Sequence, residues 1–237
     1  ARLDRGRGAG MGEWQLGVRA GAFRVARQVN GLFLDPAVTR AHQLLAQLDR
    51  FYMLGGRSGA LRLIYGYSRA RQSRWGELFA NGFETFDINP AGYRAKQMLA
   101  LNWEHELTGE LGAFARLSWN DGRTQSWMFT EMDRAVSAGL VLIGTRWGRD
   151  ADAIGLAVNI GWASAGRRAY LGAGGIGFIT GDGRLNGAPE AVAETYYDMR
   201  LAPGVRMAAN FQLVTNPAYN ADRGPVPVLG LRLRTAF

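Results

Sequence analysis

Leu229-Gly-Leu-Arg-Leu-Arg-Thr-Ala-Phe237 ends the sequence with an alternation of apolar and polar side chains. Successive side chains of an extended strand point to opposite faces, so Leu229, Leu231, Leu233, Thr235 and Phe237 share one face and Gly230, Arg232 and Arg234 the other. Two arginines cannot face hydrocarbon cheaply, but a row of leucines can. The stretch reads as a membrane-crossing strand, with lipid on one side and water on the other.

Half-buried strands of soluble sandwiches also alternate, so the decision rests on recurrence at spanning length. Val205, Met207, Ala209, Phe211 and Leu213 oppose Arg206, Asn210 and Gln212. Thr195, Tyr197, Met199 and Leu201 oppose Glu194, Tyr196, Asp198 and Arg200. Leu111, Ala113, Ala115, Leu117 and Trp119 oppose Phe114, Arg116, Ser118 and Asn120, and the run from Ile154 to Trp162 repeats the pattern. Each run reaches the roughly 9–11 residues that a tilted strand needs to cross a bilayer.

Composition excludes several rivals. No apolar run approaches the roughly 20 residues of a membrane helix, although 47% of residues are hydrophobic. There is no cysteine, which removes disulfides and zinc-thiolate sites, and only His42 and His105 remain for imidazole chemistry. No cofactor or metal is expected. The 8 Tyr, 11 Phe and 7 Trp suit strands and interfacial girdles. The net charge of +8 is almost wholly arginine, Lys96 being the only lysine. These arginines are dispersed one or two per strand, which argues against nucleic acid as partner and for a basic lumen. Ala1-Arg-Leu-Asp-Arg-Gly-Arg-Gly8 lacks the apolar stretch of a secretory leader, so the expectation is a leader already removed or a chain that continues upstream.

Strands are expected at 13–25, 43–54, 59–69, 92–105, 109–119, 129–144, 152–162, 189–201, 204–214 and 225–237. Between them short connections (55–58, 107–110, 145–151, 202–204) alternate with long ones (26–42, 70–91, 120–128, 163–188, 215–224). An outer-membrane barrel sorts its connections in this way, with short periplasmic turns and long external loops. The fold class is therefore all-β, a transmembrane antiparallel up-and-down barrel with about ten strands here, forming one domain over 1–237. Two local readings stay open. Arg50 falls on the apolar face of its strand and must snorkel, sit at a bulge or mark a wrong register. Asp35-Pro36 reads as a capped helix start.

Phe114-Ala-Arg-Leu-Ser-Trp-Asn-Asp-Gly122, Gly181-Asp-Gly-Arg-Leu-Asn186 and Asn216-Pro-Ala-Tyr-Asn-Ala-Asp-Arg-Gly-Pro225 resemble the carbohydrate-selective porin family, the OprB-like outer-membrane channels. The likeness covers most of the chain, weakly from about Trp14 and more clearly from about Tyr93. Members of that family are longer, with barrels of about sixteen or more strands. The resemblance thus implies that these strands are the carboxy-terminal part of a larger barrel. It also implies passive, sugar-favouring diffusion across the bacterial outer membrane.

A porin supplies a water-filled lumen whose width and lining charges select solutes. By alternation the inward set includes Arg19, Arg62, Arg94, Lys96, Arg116, Arg200, Arg206, Arg232 and Arg234, against Asp49, Glu104, Glu131, Asp133, Glu194 and Asp198, with Asn210 and Gln212 beside them. Arg200, Arg206, Arg232 and Arg234 should form one basic patch with Glu194 and Asp198, and Tyr196 offers a stacking surface for a sugar ring. The plainer reading of each charge is a cross-strand ladder that braces the wall. The connection 163–188 is long enough to fold inward, which makes Arg167, Arg168, Asp182 and Arg184 constriction candidates. Phe237 resembles the terminal aromatic by which the barrel-assembly machinery recognises its clients. Membrane lipid and small hydrophilic solutes, sugars first, are the expected partners, and a homo-oligomer is compatible with the sequence. An anion-favouring pore, a barrel enzyme and a component of an export complex are the rival functions; neither histidine has a readable Ser or Asp partner at a motif spacing.

Overall fold

The computed structural model describes residues 14–80, 82, 87, 90, 92–126 and 131–236. Among these residues ten strands form a single antiparallel sheet in strict sequence order. They are β1 Trp14–Arg24, β2 His42–Leu54, β3 Arg57–Arg71, β4 Tyr93–Glu106, β5 Leu111–Asn120, β6 Arg134–Gly144, β7 Arg149–Trp162, β8 Glu190–Ala202, β9 Val205–Thr215 and β10 Val226–Thr235. Two short helices, α1 Trp75–Ala80 and α2 Ala165–Gly172, lie in long connections. The up-and-down order follows from the hairpins. In the β2–β3 turn both central residues are glycines at φ 58° and 74°, the positive angles that a two-residue turn matching strand twist requires.

Strands of 10 to 15 residues extend roughly 33–50 Å at about 3.3 Å per residue, enough to cross a bilayer at the tilt of a barrel. The outward face is apolar and bare: Leu16, Val18, Leu61, Leu63, Leu117, Leu140, Leu156, Leu229, Leu231 and Leu233 are all exposed, Leu229 to 84%. So large a contiguous apolar surface has no place in water and fits hydrocarbon. Aromatic residues bound it. Tyr65, Trp119 and Trp162 fall on one cross-strand row toward the long loops, linked through Leu99 and Arg134. Tyr52, Trp103, His105, Trp147 and Tyr197 cluster toward the short turns, where Trp103 Nε1 donates to the Tyr52 hydroxyl at 2.7 Å and Trp147 Nε1 to that of Tyr197 at 3.0 Å. These are the two interfacial girdles of a membrane barrel.

The buried core lies among the long loops, not inside the sheet. Trp75 and Leu78 of α1 pack on Tyr170 and Leu171 of α2, with Phe178 and Leu185 against them. A second small cluster, Val25, Ala41 and Ala70 with Tyr93, closes the loop-side ends of β1, β3 and β4.

The ladder corrects several sequence expectations. Its register runs unbroken through Asp49–Arg62 and Arg50–Leu61, which removes a bulge or slip at Arg50; the side chain is exposed on the outward face, level with Trp103. The strand expected at 129–144 begins at Arg134, so Glu131 and Asp133 belong to the preceding loop; residues 127–130 lie outside the described set. Alternation in Glu131-Met-Asp-Arg134 had mimicked a strand. Asp35-Pro36 opens only a single turn, closed by the Ala41 N–H to Ala37 O bond at 2.8 Å. Phe237 lies outside the described residues.

Candidate functional site

The inward face of the sheet carries a lateral polar row. Asp49, Arg62, Asn102, Arg116, Ser137 and Asn159 are successive cross-strand partners from β2 to β7. Asp49 is wholly buried, and its neighbours explain how a carboxylate tolerates that. Gln47 Nε2 donates to it at 2.6 Å, Arg19 approaches at 3.4 Å and Arg62 at 3.9 Å. Arg62 also pairs with Glu104 at 2.7 Å. Buried charge is thus compensated by opposite charge and hydrogen bonds, as it must be. Arg116 has no carboxylate partner among the described residues; its guanidinium carbon lies 5.0 Å from the centre of the Phe114 ring.

A second group occupies the same face of β8, β9 and β10. Arg200, Arg206 and Arg234 are directly paired across the three strands, and Arg232 pairs with Ala208, whose other partner is Asp198. Like charges in register repel, and Asp198 offsets only part of this through Arg206 Nε at 3.0 Å. Arg232 and Arg234 have no ion-pair partner among the described residues. With Tyr196, Asp198, Leu233 and Thr235 they line a cavity of about 670 Å³. Glu194 accepts from Gln212 at 3.0 Å and Asn210 at 3.4 Å. The ring tip of Tyr196 overlies Gly155 of the neighbouring strand, where an added Cβ would come within 2.2 Å of it. Glycine is what lets the tyrosine lie against the wall instead of projecting from it.

Toward the long loops the inward face is covered. Arg94 Nη2 binds Glu77 of α1 at 2.5 Å, and Lys96 Nζ donates to the carbonyls of Thr124 and Gln125 at 3.4 Å each. Burial alone would raise the Glu77 carboxyl, but the Arg74 backbone N–H and the Arg94 guanidinium hold it below the ordinary glutamate value. Trp75 Nε1 donates to Gly122 O at 3.0 Å, and both Glu131 carboxylate oxygens accept backbone N–H groups, from Phe178 and Ile179. The Tyr219 hydroxyl donates to Glu131 O at 2.8 Å, so four long connections are bonded into one assembly.

The constriction candidates lie in different places. Arg167 is buried inside the loop assembly, paired with Asp133 at 3.2 Å, donating to Ser126 at 2.7 Å and stacked 5.2 Å over Trp75. Arg168 is on the opposite side, in an outward groove. Asp182 pairs with Arg223 on the loop surface, and Arg184 is exposed there. The sequence did not single out Trp75, Glu77 or Asp133 for this role; only the cross-loop contacts reveal them. All eleven wall candidates, Arg62, Arg116, Glu194, Tyr196, Asp198, Arg200, Arg206, Asn210, Gln212, Arg232 and Arg234, share the inward parity.

Apolar outside, charged inside, girdled and looped at one end, the sheet is that of an outer-membrane β-barrel. Residues 13–237 match the model of the carbohydrate-selective porin, OprB family, and the chain belongs to that family. Its localisation is the bacterial outer membrane. A high-pH structure of OprB from Pseudomonas putida superposes with a TM-score of 0.72 at 19% identity, covering 94% of this chain and 56% of that one. The chain thus spans little more than half of that relative. The toluene transporter TodX of P. putida aligns with a TM-score of 0.37 at 10% identity, over 90% of this chain and 67% of that one. No curated protein matches the chain.

Proposed function

We propose that this chain forms ten strands of a larger porin barrel that admits small hydrophilic solutes, carbohydrates foremost, by passive diffusion. One observation carries the reading: the inward face presents an unbroken band of hydrogen-bonding groups from Asp49 to Asn159, with arginines whose donors are not all engaged. Guanidinium and carboxylate groups can exchange water for sugar hydroxyls at little net gain or loss, which suits a solute that must leave again. Tyr196, held against the wall over Gly155, supplies a flat apolar surface for the face of a sugar ring. The loop assembly docked on Arg94 and Lys96 narrows the outer mouth.

Family and fold favour a channel over an enzyme. His105 stacks on Tyr52 at 5.6 Å within the outward girdle, and His42 Nδ1 contacts the Val38 carbonyl at 3.0 Å. A second reading has its own support. The Arg200–Arg206–Arg234 row with Arg232 carries four positive charges against Asp198 and Glu194, which favours anions.

Planar-bilayer conductance of the full-length protein decides between the two. Block by millimolar disaccharide with weak ion preference is the outcome expected of the carbohydrate channel. An anion-selective current indifferent to sugars would replace it with the second reading.

A further inference from the structure

The outward face of the sheet carries, at its loop-side end, a groove of about 470 Å³. Its floor is apolar, formed by Leu117 and Val136, with Trp119 and Trp162 as walls. Two arginines stand at it. Arg134 lies directly between Trp119 and Trp162 in the ladder, since Trp119 pairs with Arg134 and Arg134 with Trp162. It is exposed and has no carboxylate partner among the described residues. Arg168 reaches the same groove from α2, its Nη1 donating to Ala163 O at 2.7 Å and its stem resting near Gly187. Ser164 and Ala165, which begin that helix, complete the rim.

Both arginines sit where a barrel meets lipid at headgroup level. Long side chains there bury their stems and lift their charge to the interface. Snorkelling explains one cation. Two cations from separate elements, converging above one apolar slot between tryptophans, make a site with a charged upper half and an oily lower half. We propose that this groove binds a phosphorylated lipid of the outer leaflet, with its phosphate between Arg134 and Arg168 and an acyl chain along Leu117 and Val136. Guanidinium groups match phosphate oxygens with paired N–H donors, and the groove's apolar floor selects a lipid over a free anion. The long loops place it on the external side, because outer-membrane barrels carry their long connections there. The inference rests on the outward face meeting lipid and is independent of the solute.

The test uses full-length protein in detergent micelles, titrated with hexa-acylated bisphosphorylated lipid A and followed by native mass spectrometry. Parallel titrations use the same lipid without phosphates, phosphatidylcholine, and inorganic phosphate. We expect one retained lipid A per chain, an apparent affinity lowered at least tenfold in the R134Q/R168Q double variant, and no displacement by inorganic phosphate. Heat-modifiable migration on gels reports the folded barrel first; if the double variant does not fold, Arg168→Gln alone carries the measurement, its side chain being exposed on α2. Equal retention by wild type and variant would overturn the proposal, as would equal binding of the dephosphorylated lipid or of phosphatidylcholine. Tight binding of inorganic phosphate would make the groove a free-anion site. An altered oligomeric mass without loss of lipid would assign it to a second copy of the chain. Either result also sinks the proposal.

Discussion

Asp49 shows how a single wall charge is held. Its carboxylate is buried against Arg19, Arg62 and the Gln47 amide, but both guanidinium groups stay open to water, Arg19 at 69% exposure and Arg62 at 27%. Asp49→Ala should therefore destabilise the folded protein by only about 0.5–1.5 kcal/mol, the net worth of a typical hydrogen bond, because the partners left behind can be solvated. Urea unfolding of vesicle-inserted full-length protein, followed by tryptophan fluorescence, measures it; an unchanged midpoint would mean that the arginines are already satisfied by solvent. Arg232 and Arg234 are the opposite case, exposed and without an ion-pair partner among the described residues, so their charge should act on passing ions rather than on stability. Replacing both with Gln should shift the zero-current potential in a salt gradient toward the cation side at 0.1 M, and far less at 1 M, where the screening length falls to about 3 Å. The faces of such residues were legible in the sequence because a strand has period two and an arginine must choose its side. Their partners were not. Alternation says that Arg62 and Asp49 share a face, but only the register makes them neighbours.

At the scale of the element, the strands could be read from sequence and the loop helices could not. Helix α1 has six residues, too few to persist on local propensity. Glu77 compensates twice: one carboxylate oxygen accepts the Arg74 N–H that opens the helix at 2.8 Å, and the other binds Arg94 on the wall. The first contact is half of a capping box, whose serine or threonine is missing, so the sequence signal was incomplete. Helix α2 does begin on a serine, Ser164, which accepts the Arg167 N–H, but the glycines that follow obscured it. The pH dependence of the docked loop follows from Glu77. A folded value below the unfolded one means stabilisation that is complete above the ordinary glutamate value near 4.3 and is lost as the pH falls through the lower folded value. Hydrogen exchange of residues 75–80, corrected for intrinsic rates, should accelerate below about pH 4. Glu77→Gln should exchange about tenfold faster at neutral pH and lose the acid step. An acid step that survives in the variant would assign it to another carboxylate, with Asp35 next in line, since its carboxyl is also held low by the Ala37 N–H, Arg71 and Tyr93 against the upward pull of burial.

For the whole molecule the decisive fact is that the sheet is open. Each of β1 and β10 has one neighbouring strand, β2 and β9, so the described residues do not close a ring. In lipid every backbone N–H and C=O must be paired within the protein, and each orphan costs several kcal/mol. An edge of ten or eleven residues is therefore untenable in a bilayer unless further strands cover it. The 56% coverage of P. putida OprB agrees in scale with a wall continued by other strands. Residues 1–237 expressed alone should accordingly fail to give a heat-modifiable monomer in vesicles, and give edge-paired oligomers or aggregate instead, while the full-length protein inserts and conducts. Supplying further porin strands as a separate polypeptide during refolding should restore the heat-modifiable band, because what they supply is hydrogen-bond partners for β1 and β10 rather than a chaperone function. A stable ten-stranded monomer carrying steady current would show instead that β1 and β10 can pair with each other, and would reduce the pore to a width that ten strands enclose. That outcome would also change the selectivity argument, since Arg19 on β1 would then stand across the new seam from the arginines of β10.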